Sequence, residues 1–544
     1  MENIHDKSLQ VSLNEVQGKD NENITINPDF SDLINPNSQE PTISVDDIKK
    51  EAERLKNKLS ESIDHNEILT RLLDEIQEVD FKEEAFPKVK RLREQLEKLN
   101  PNSDEYKEIQ SEIDGCKLNQ KHYLIISIEE ILKTATNNKW SLSKKHDFVY
   151  IYNGCYWSEV EKDDLKKFLG EASEKLSVPK FDARYFNFRD NLLKQFQTTA
   201  YLPTPENDLN KVFINLKNGT FEINGENQNL RPFDKNDFIT YQLPFEYNPD
   251  ATCPKWQKFL NEVLPDEKLQ MVLAEYLGYV FIRNGSSILK EETALILYGT
   301  GANGKSVVFE VVNSMLGNEN VSSYSLQDLT NENGYFRAKI ANKLVNYASE
   351  INDKLESNVF KQLTSGEPVS ARLPYGEPFT LRQYAKLIFN SNELPKNVEH
   401  TNAFFRRFLI VPFEVTIPEE KQDKNLHTKI IESELSGIFN WTLSGLNRLL
   451  KQKRFTESEK VKEAVNQYRT ESDSVLMFLN ERNYKKGTTG NFKAYGDFYN
   501  EYREFCSDDG MIPVKKSNFK KRLEANQFQF DRQAGTGQNI VFVN

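Results

Sequence analysis

The stretch TALILYGTGANGKSVVFEVVNSML, residues 293–316, decides the fold of this 544-residue chain. An apolar run leads directly into GTGANGKS, and apolar residues at helical spacing follow. The octet matches GxxxxGK[ST] at every fixed position, and its glycines let the backbone turn its N–H groups towards phosphates. A strand, a glycine-rich loop and a helix in this order predict an α/β nucleotide-binding domain. The predicted binding residues are Gly299, Thr300, Gly301, Ala302, Asn303, Gly304, Lys305 and Ser306.

Two residues of this loop carry the expected chemistry. Lys305 is expected to reach the β- and γ-phosphates, and the Ser306 hydroxyl is expected to bind Mg²⁺. The loop therefore predicts a nucleoside triphosphate hydrolase. It leaves open what the hydrolysis drives, and a small-molecule kinase is one alternative.

Three later segments supply candidates for the rest of a hydrolase site. KLVNYASE ends at Glu350, an acid that can hold the metal through water or polarise the attacking water. KLIFNSNELP offers Asn392 for the γ-phosphate, with Asn390 as a competitor. Arg406 and Arg407 precede the strand FLIVPF, which suits an arginine finger supplied to a neighbouring subunit, while the other arginine pairs within its own chain. The alternative is a pair of surface salt-bridge arginines, and the sequence does not say which arginine is the finger.

The composition excludes several classes of protein. Hydrophobic residues make up 38% of the chain, and its formal net charge is −12. No run approaches the roughly 18 apolar residues of a membrane helix, and the first thirty residues lack the apolar core of a secretory signal. The four cysteines and six histidines show no metal-ligand spacing. We expect a reduced, cytosolic protein with no membrane partner and no His/Cys metal site.

Patterning divides the chain into five predicted segments. Residues 1–43 are polar without a period and predict a disordered tail. Residues 44–115 carry helical spacing and predict a helical hairpin or coiled-coil arm, which is either a surface appendage or a docking or oligomerising arm. Residues 116–285 contain two Asn-Gly hairpin signals and predict an α+β domain. Residues 286–455 alternate strands and helices as an α/β ATPase does. Residues 456–544 end in a helix and a hairpin, as a winged helix does.

The C-terminal segment also carries a local positive charge. Residues 515–522, KKSNFKKR, include five basic residues and no acidic one. Ser517 is the predicted cap of a helix that turns Phe519 and Leu523 to the core. Such a helix followed by a hairpin can bind the major groove of duplex DNA, and the alternative is a winged helix used only for protein contacts. The candidate DNA-binding residues are Lys515, Lys516, Lys520, Lys521 and Arg522.

The order of these motifs resembles that of superfamily 3 helicases. GTGANGKS, NYASE, KQLTSGE, ARLPYGEPF, LIFNSNELP and AFFRRFLIVPF follow one another as in the C-terminal helicase of phage and plasmid primases and of poxvirus primase-helicases. The similarity covers about residues 120–544. It implies an AAA+-like P-loop ATPase that uses ATP and Mg²⁺. It also implies a ring, usually a hexamer, that moves single-stranded DNA through its centre.

The resemblance assigns roles to further residues. It implies that Lys305 and Ser306 are the Walker A pair, Glu350 is the Walker B acid and Asn392 is the sensor. Lys361 matches the lysine of the family's motif between the Walker B acid and the sensor. The segment SARLPYGEPFTLR resembles the hairpin that contacts DNA in the pore, with Arg372 and Tyr375 as candidates. Its tip, PYGE, departs from the basic tip that family members often carry.

The sequence therefore predicts an ATP-dependent, ring-forming DNA helicase for replication of a phage, plasmid or integrated mobile element. It would act in the cytoplasm of a bacterial host or a virus-infected cell. The alternative is an ATP-gated origin-binding initiator or loader that does not unwind DNA processively. Residues 1–115 show no strand pair carrying two aspartates, so we expect no primase activity, and a separate primase or replication initiator is a candidate partner.

Overall fold

The computed structural model describes residues 64–145, 148–200, 210–349, 351, 355–374, 376–395, 398–487, 490–535 and 537–544. The predicted tail and the first part of the predicted arm, up to residue 63, lie outside these residues. Two candidate site residues, Glu350 and Tyr375, also lie outside them.

The described residues form helices of very different length. In chain order they are α1 His65–Glu75, α2 Phe81–Ala85, α3 Lys88–Leu96, α4 Asp104–Gly115, α5 Gln120–Asn137, α6 Lys162–Lys175, α7 Lys180–Arg184, α8 Phe186–Thr199, α9 Pro254–Val263, α10 Glu267–Tyr279, α11 Lys305–Leu316, α12 Leu326–Thr330, α13 Tyr335–Lys339, α14 Ser357–Ser365, α15 Asn402–Phe405, α16 Leu426–Gln452, α17 Glu459–Glu471, α18 Ser474–Glu481, α19 Tyr495–Asp508 and α20 Lys516–Ala525. None of these helices is both long and apolar enough to cross a membrane.

The strands group into small antiparallel sheets and one larger parallel sheet. In chain order they are β1 Ser141–Lys145, β2 Phe148–Tyr152, β3 Trp157–Val160, β4 Val212–Leu216, β5 Gly219–Asn224, β6 Asn227–Arg231, β7 Ala294–Tyr298, β8 Val321–Ser322, β9 Val345–Ala348, β10 Val369–Arg372, β11 Pro378–Leu381, β12 Lys386–Ser391, β13 Phe408–Pro412, β14 Phe492–Ala494, β15 Phe530–Arg532 and β16 Asn539–Phe542. Both predicted Asn-Gly hairpins are present, as β2–β3 and β4–β5, and each gains a third strand.

The parallel sheet has five strands in the order β13-β7-β12-β9-β8. Its neighbours all run parallel. β7, β9 and β12 are almost continuously buried, as is typical of strands covered on both faces by helices. The predicted mixed α/β class is therefore confirmed, and the glycine-rich loop follows the second strand of the sheet.

Two glycines bring α10 unusually close to α16. An added Cβ at Gly278 would lie 2.6 Å from Leu446 Cβ, and one at Gly445 would lie 2.7 Å from Ala274 Cβ. This contact merges the helices before the sheet with those after it, and one hydrophobic core extends from β4 to α16. The sequence pattern 256–282 predicts one long helix here. The chain instead breaks between α9 and α10, because Asp266 caps α10 by accepting bonds from two of its N–H groups.

A second core lies upstream and does not follow the predicted segment boundary at 115/116. It combines Ile68, Leu72 and Phe81 of α1 and α2 with side chains of α5, α6, α8 and the first small sheet. α3 and α4, which fall where the helical spacing predicts them, form a separate small pair. Val89, Leu92, Ile113 and Cys116 make the buried contacts of that pair.

The C-terminal residues contain three helices and a three-stranded antiparallel sheet. The sheet order is β14-β16-β15, and α18, α19 and α20 pack around Phe478, Phe498 and Phe519. The predicted hairpin is present as β15–β16, whereas the short strand β14 was not predicted. The predicted Ser517 cap is wrong. α20 begins at Lys516 with Lys515 as its cap residue and no side-chain cap bond, because the Tyr502 and Tyr499 hydroxyls bind the backbone of Val514 just upstream.

Candidate active site

The glycine-rich loop is held between the ends of the two strands that flank β7. Gly299 N donates to Ser391 O at 3.1 Å, at the end of β12. Phe413 N, just after β13, donates to Tyr298 O at 2.7 Å. The loop thus lies at the carboxyl edge of the parallel sheet, where α/β proteins bind ligands.

The loop backbone depends on conformations that favour glycine. Gly301 and Gly304 have φ values of 118° and 87°. A Cβ at Gly304 would lie 2.9 Å from both the Phe259 ring and Val263 Cγ1, so the loop rests directly on α9. The sequence motif gives no sign of this support, because α9 lies about forty residues upstream in the chain.

Lys305 lies buried inside the loop that precedes it. Its Nζ donates to Gly299 O at 2.6 Å and to Asn303 Oδ1 at 3.0 Å. The Asn303 amide in turn donates to Phe413 O at 3.1 Å. Burial lowers the pKa of Lys305 below its usual range. A phosphate at this point would restore a favourable environment for the ammonium, and the exposed Ser306 follows at the first turn of α11.

The sensor candidates separate clearly in the structure. Asn390 is buried in β12, and its Oδ1 accepts a bond from the Tyr347 hydroxyl at 3.0 Å. Asn392 is exposed directly after β12, beside the loop that Ser391 contacts. Of the two, Asn392 has its side chain available to a ligand.

Few of the described side chains could bind the predicted Mg²⁺. No three His, Cys, Asp or Glu side chains converge as metal ligands among the residues that the structure describes. Glu350 lies outside those residues, although β9 ends at Ala348 on the same edge of the sheet as the loop. The donors fit Mg²⁺, which commonly takes one or two protein oxygens plus substrate phosphates and water.

The two candidate finger arginines lie at the amino-terminal ends of the strands, opposite the carboxyl ends that hold the loop. β13 pairs with β7 in the register Phe408↔Ala294 to Pro412↔Tyr298, so residues just before Phe408 are level with the start of β7. A five-residue strand spans about 16 Å at 3.3 Å per residue. Arg406 and Arg407 therefore lie a full strand length from the loop of their own chain.

The surroundings of the two arginines differ. The Arg407 side chain is 9% exposed and donates to Ser365 Oγ at 3.2 Å, to Glu292 at 3.1 Å and to Ala403 O. The Arg406 side chain is 64% exposed and contacts the same Glu292 oxygen at 3.2 Å. Arg407 is thus buried with several partners, and Arg406 is the more exposed of the two arginines. Glu292 is not among the residues predicted from the sequence, where its only signal is the acidic pair Glu291-Glu292 just before β7.

Lys361 lies with the arginines and not with the loop. Its Nζ contacts Glu399 Oε2 at 2.7 Å, and the hydrogen bond with Lys361 lowers the pKa of that carboxyl. Lys361 stands one helical turn from Ser365 on α14, and Ser365 binds Arg407.

The β-hairpin that is predicted to contact DNA is present as β10–β11, with Val369 opposite Leu381 and Arg372 opposite Pro378. The Arg372 side chain is exposed, its Nε donates to Gly376 O at 2.9 Å and its guanidinium lies 6.0 Å from the Tyr335 ring. The buried Arg337 holds the base of the hairpin by donating to Ser370 O at 2.7 Å. Tyr375 lies outside the described residues.

The five basic residues at and near the start of the C-terminal helix differ in their surroundings. Lys515, Lys516 and Lys521 are exposed. Lys520 lies 5.0 Å from the Phe530 ring and 3.8 Å from Glu524. Arg522 instead bonds Asp473 Oδ1 at 2.8 Å, and this aspartate is buried between α17 and α18. Its guanidinium is therefore engaged inside the protein.

Three models of known protein families match parts of this chain. A model described as D5 N terminal like matches residues 129–265, and one described as Poxvirus D5 protein-like matches residues 470–537. The resemblance to D5-like primase-helicases is confirmed. Between the two D5-like matches, a family of unknown function, DUF5906, matches residues 297–407 and thus includes the loop and both arginines.

Individual relatives are viral. "Putative helicase L207/L206" of Acanthamoeba polyphaga mimivirus is 24% identical over 272 residues, which are 47% of this chain and 28% of the relative. "Putative helicase 121R" of Invertebrate iridescent virus 3 is 23% identical over 353 residues, 57% of this chain and 37% of the relative. The chain thus spans about a third of these relatives. The apo structure of the NrS-1 C terminal region matches with a TM-score of 0.45 and 14% identity, over 76% of this chain and 98% of that one.

Proposed function

We propose that the chain is the subunit of a ring-shaped, ATP-dependent DNA helicase that hydrolyses ATP at the interfaces between subunits. The observation that carries the proposal is the placement of the glycine-rich loop and Arg406 at opposite edges of one parallel sheet. Each chain then carries the loop at one end of the sheet and Arg406 at the other. When two chains meet head to tail, the loop of one and Arg406 of the next complete one site. Heterologous contacts of this kind form a ring when the rotation between neighbouring subunits closes.

Nucleotide binding follows from the loop geometry. The loop N–H groups and the start of α11 would face the phosphates, and Lys305 would donate to the β- and γ-phosphates. Ser306 and, from the sequence motif, Glu350 would hold Mg²⁺, which supplies charge neutralisation at the phosphates. Asn392 would contact the γ-phosphate or the attacking water. The position of Lys305 inside the loop and the exposure of Ser306 and Asn392 support their assignments, whereas Glu350 is assigned from the sequence motif alone.

Completion of the site in trans explains the exposure of Arg406. A guanidinium that must reach a neighbour's γ-phosphate has to project from its own surface, and Arg406 does so while Arg407 is buried beneath it. Arginine fingers contribute about 10³ to 10⁵ in rate. Hydrolysis would therefore depend on ring assembly.

Two surfaces support contact with DNA. The β10–β11 hairpin presents Arg372, which would contact single-stranded DNA in the pore. The C-terminal elements run helix, strand, helix, helix, strand, strand, which is the order of a winged helix. Lys516 and Lys521 are exposed on the last helix, and Lys515 is exposed at its cap. These lysines would contact duplex DNA. The viral relatives, which are named putative helicases, support a role in genome replication in an infected cell. A separate primase or initiator would be its partner.

A paired assay tests the proposal. The wild-type chain should hydrolyse ATP with stimulation by DNA and unwind a forked duplex, and Lys305→Ala should lose both activities while keeping its melting temperature. Lys117→Ala, which removes an exposed lysine near the upstream helical pair, should behave as wild type. ATP turnover that survives Lys305→Ala would contradict the nucleotide site.

The alternative is an ATP-gated initiator or loader, which the basic surface of α20 favours. Such a protein would bind duplex DNA in an ATP-dependent manner and hydrolyse ATP, but it would not unwind a forked duplex processively. The unwinding assay therefore separates the two functions, because ATP hydrolysis alone is common to both.

A further inference from the structure

Glu292 joins the exposed arginine to the buried one. It lies two residues before β7, and its Oε2 accepts bonds from Arg406 at 3.2 Å and from Arg407 at 3.1 Å. Its other oxygen lies 3.4 Å from Lys290 Nζ, a side chain that is 68% exposed. One carboxylate oxygen thus links two neighbouring guanidinium groups of opposite exposure.

The link gives Arg406 a fixed starting position. Arg407 is enclosed by Ser365, Ala403 and Glu292, so the carboxylate of Glu292 is held from the protein interior. An exposed arginine otherwise samples many rotamers, and fixing it costs conformational entropy. Pairing with an anchored carboxylate reduces that cost before the guanidinium meets its target.

We propose that Glu292 is a positioning residue for the finger arginine: it holds Arg406 at the surface that meets the neighbouring subunit, ready for that subunit's nucleotide. The proposal rests on the proposed function above. An exposed ion pair is weak, so phosphates that carry more charge than one carboxylate can draw the guanidinium away from Glu292. The residue therefore orients Arg406 without trapping it.

The kinetic signature differs from that of a general structural defect. Glu292→Gln keeps the shape but removes the charge, and a misplacement of about 1 Å can cost about 10²-fold in rate. We expect kcat for ATP to fall about ten- to hundredfold, with KM unchanged because ATP is bound by the loop at the other edge of the sheet. Glu292→Asp, which keeps the charge on a shorter side chain, should recover part of kcat. Lys290→Ala, which removes the exposed contact to the same carboxylate, should stay within about twofold of wild type.

Mixed rings give the decisive readout. Glu292→Gln subunits keep an intact loop, and Lys305→Ala subunits keep an intact Arg406 with its Glu292. In a 1:1 mixture about a quarter of the interfaces join the two intact halves, so turnover should rise to roughly a quarter of wild type. Mixing Glu292→Gln with Arg406→Ala should give no such rise, because neither subunit supplies a well-placed finger.

The outcomes separate the two proposals. Wild-type chains without ATP turnover would overturn the proposed function itself. Active wild type together with Glu292→Gln at full kcat would overturn only the positioning role. A slow Glu292→Gln that Lys305→Ala subunits do not rescue would also overturn it, since the defect would then affect the nucleotide site of its own chain.

Discussion

Replacing Gly304 by alanine tests whether the loop depends on the helix beneath it. The new Cβ would lie 2.9 Å from Phe259 and Val263, both of which are buried in the main core. The backbone at this position has φ 87°, which costs a residue with a Cβ about 1–2 kcal/mol. Overpacking against a full core adds about 1–3 kcal/mol. The total free-energy cost of Gly304→Ala is about 2–5 kcal/mol, and the protein either retains it as strain or reduces it by moving the loop.

Either response should weaken nucleotide binding. A loop that moves no longer directs its N–H groups to one point, and each 1.4 kcal/mol of lost binding energy is about tenfold in Kd. We expect Gly304→Ala to raise Kd for a fluorescent ATP analogue by at least about tenfold, measured by anisotropy, with a lower melting temperature. Gly301→Ala is the matched control, because Gly301 also has a positive φ but no atom lies within 4 Å of its added Cβ.

A second substitution should relieve the first. Phe259→Leu removes the ring atoms that the new Cβ would meet, so Gly304→Ala combined with Phe259→Leu should bind the analogue more tightly than Gly304→Ala alone. Wild-type affinity in Gly304→Ala would refute the contact between the loop and α9. A double variant no better than the single one would show that backbone strain, together with the remaining contact to Val263, explains the loss.

Two further predictions concern charges away from the loop. Burial lowers the pKa of Lys386 to about 7, so between pH 7 and 10.5 the unfolded chain binds more protons and this residue's contribution to stability rises with pH. Lys386→Met should therefore stabilise the protein more at pH 6.5 than at pH 9.5 in urea unfolding, and a difference independent of pH would be contrary evidence. Arg522→Ala should cost about 1.5–3 kcal/mol in unfolding free energy, because it leaves the buried Asp473 without its cation, whereas Lys521→Ala should weaken duplex DNA binding without changing stability. If the two variants were equally stable, the ion pair with Asp473 would not matter, and Arg522 would again be a candidate for DNA binding.

The loop could be predicted because its signal is local. An apolar strand, a run with glycine at two of its three positive-φ positions, and a helical pattern occupy 24 consecutive residues, and the structure has β7, loop and α11 in that order. Phe519 and Leu523, four residues apart, were likewise correctly predicted to face the core. In these cases the deciding interactions lie within a few residues of one another.

The remaining features depend on residues distant in the chain. The difference between Arg406 and Arg407 comes from Glu292 and Ser365, which no pattern around the arginines reveals. Arg522 appears as one of five basic residues in the sequence, yet Asp473 occupies it in the structure. α20 begins at Lys516, earlier than the predicted Ser517 cap implied, because Tyr499 and Tyr502 fix the chain just before it. Tertiary contacts therefore decided which of several similar side chains is available for function.

The central claim is that each ATP site combines the loop of one chain with Arg406 of the next. The most direct measurement is steady-state ATP turnover of a 1:1 mixture of Lys305→Ala and Arg406→Ala subunits, with ring assembly verified by native mass spectrometry. Each variant alone should be inactive, and random mixing should place about a quarter of the interfaces between an intact loop and an intact finger. A site shared between subunits should give turnover near a quarter of wild type, and this turnover should be lost on dilution below the concentration at which rings dissociate. Assembled mixed rings as inactive as both parents would contradict it.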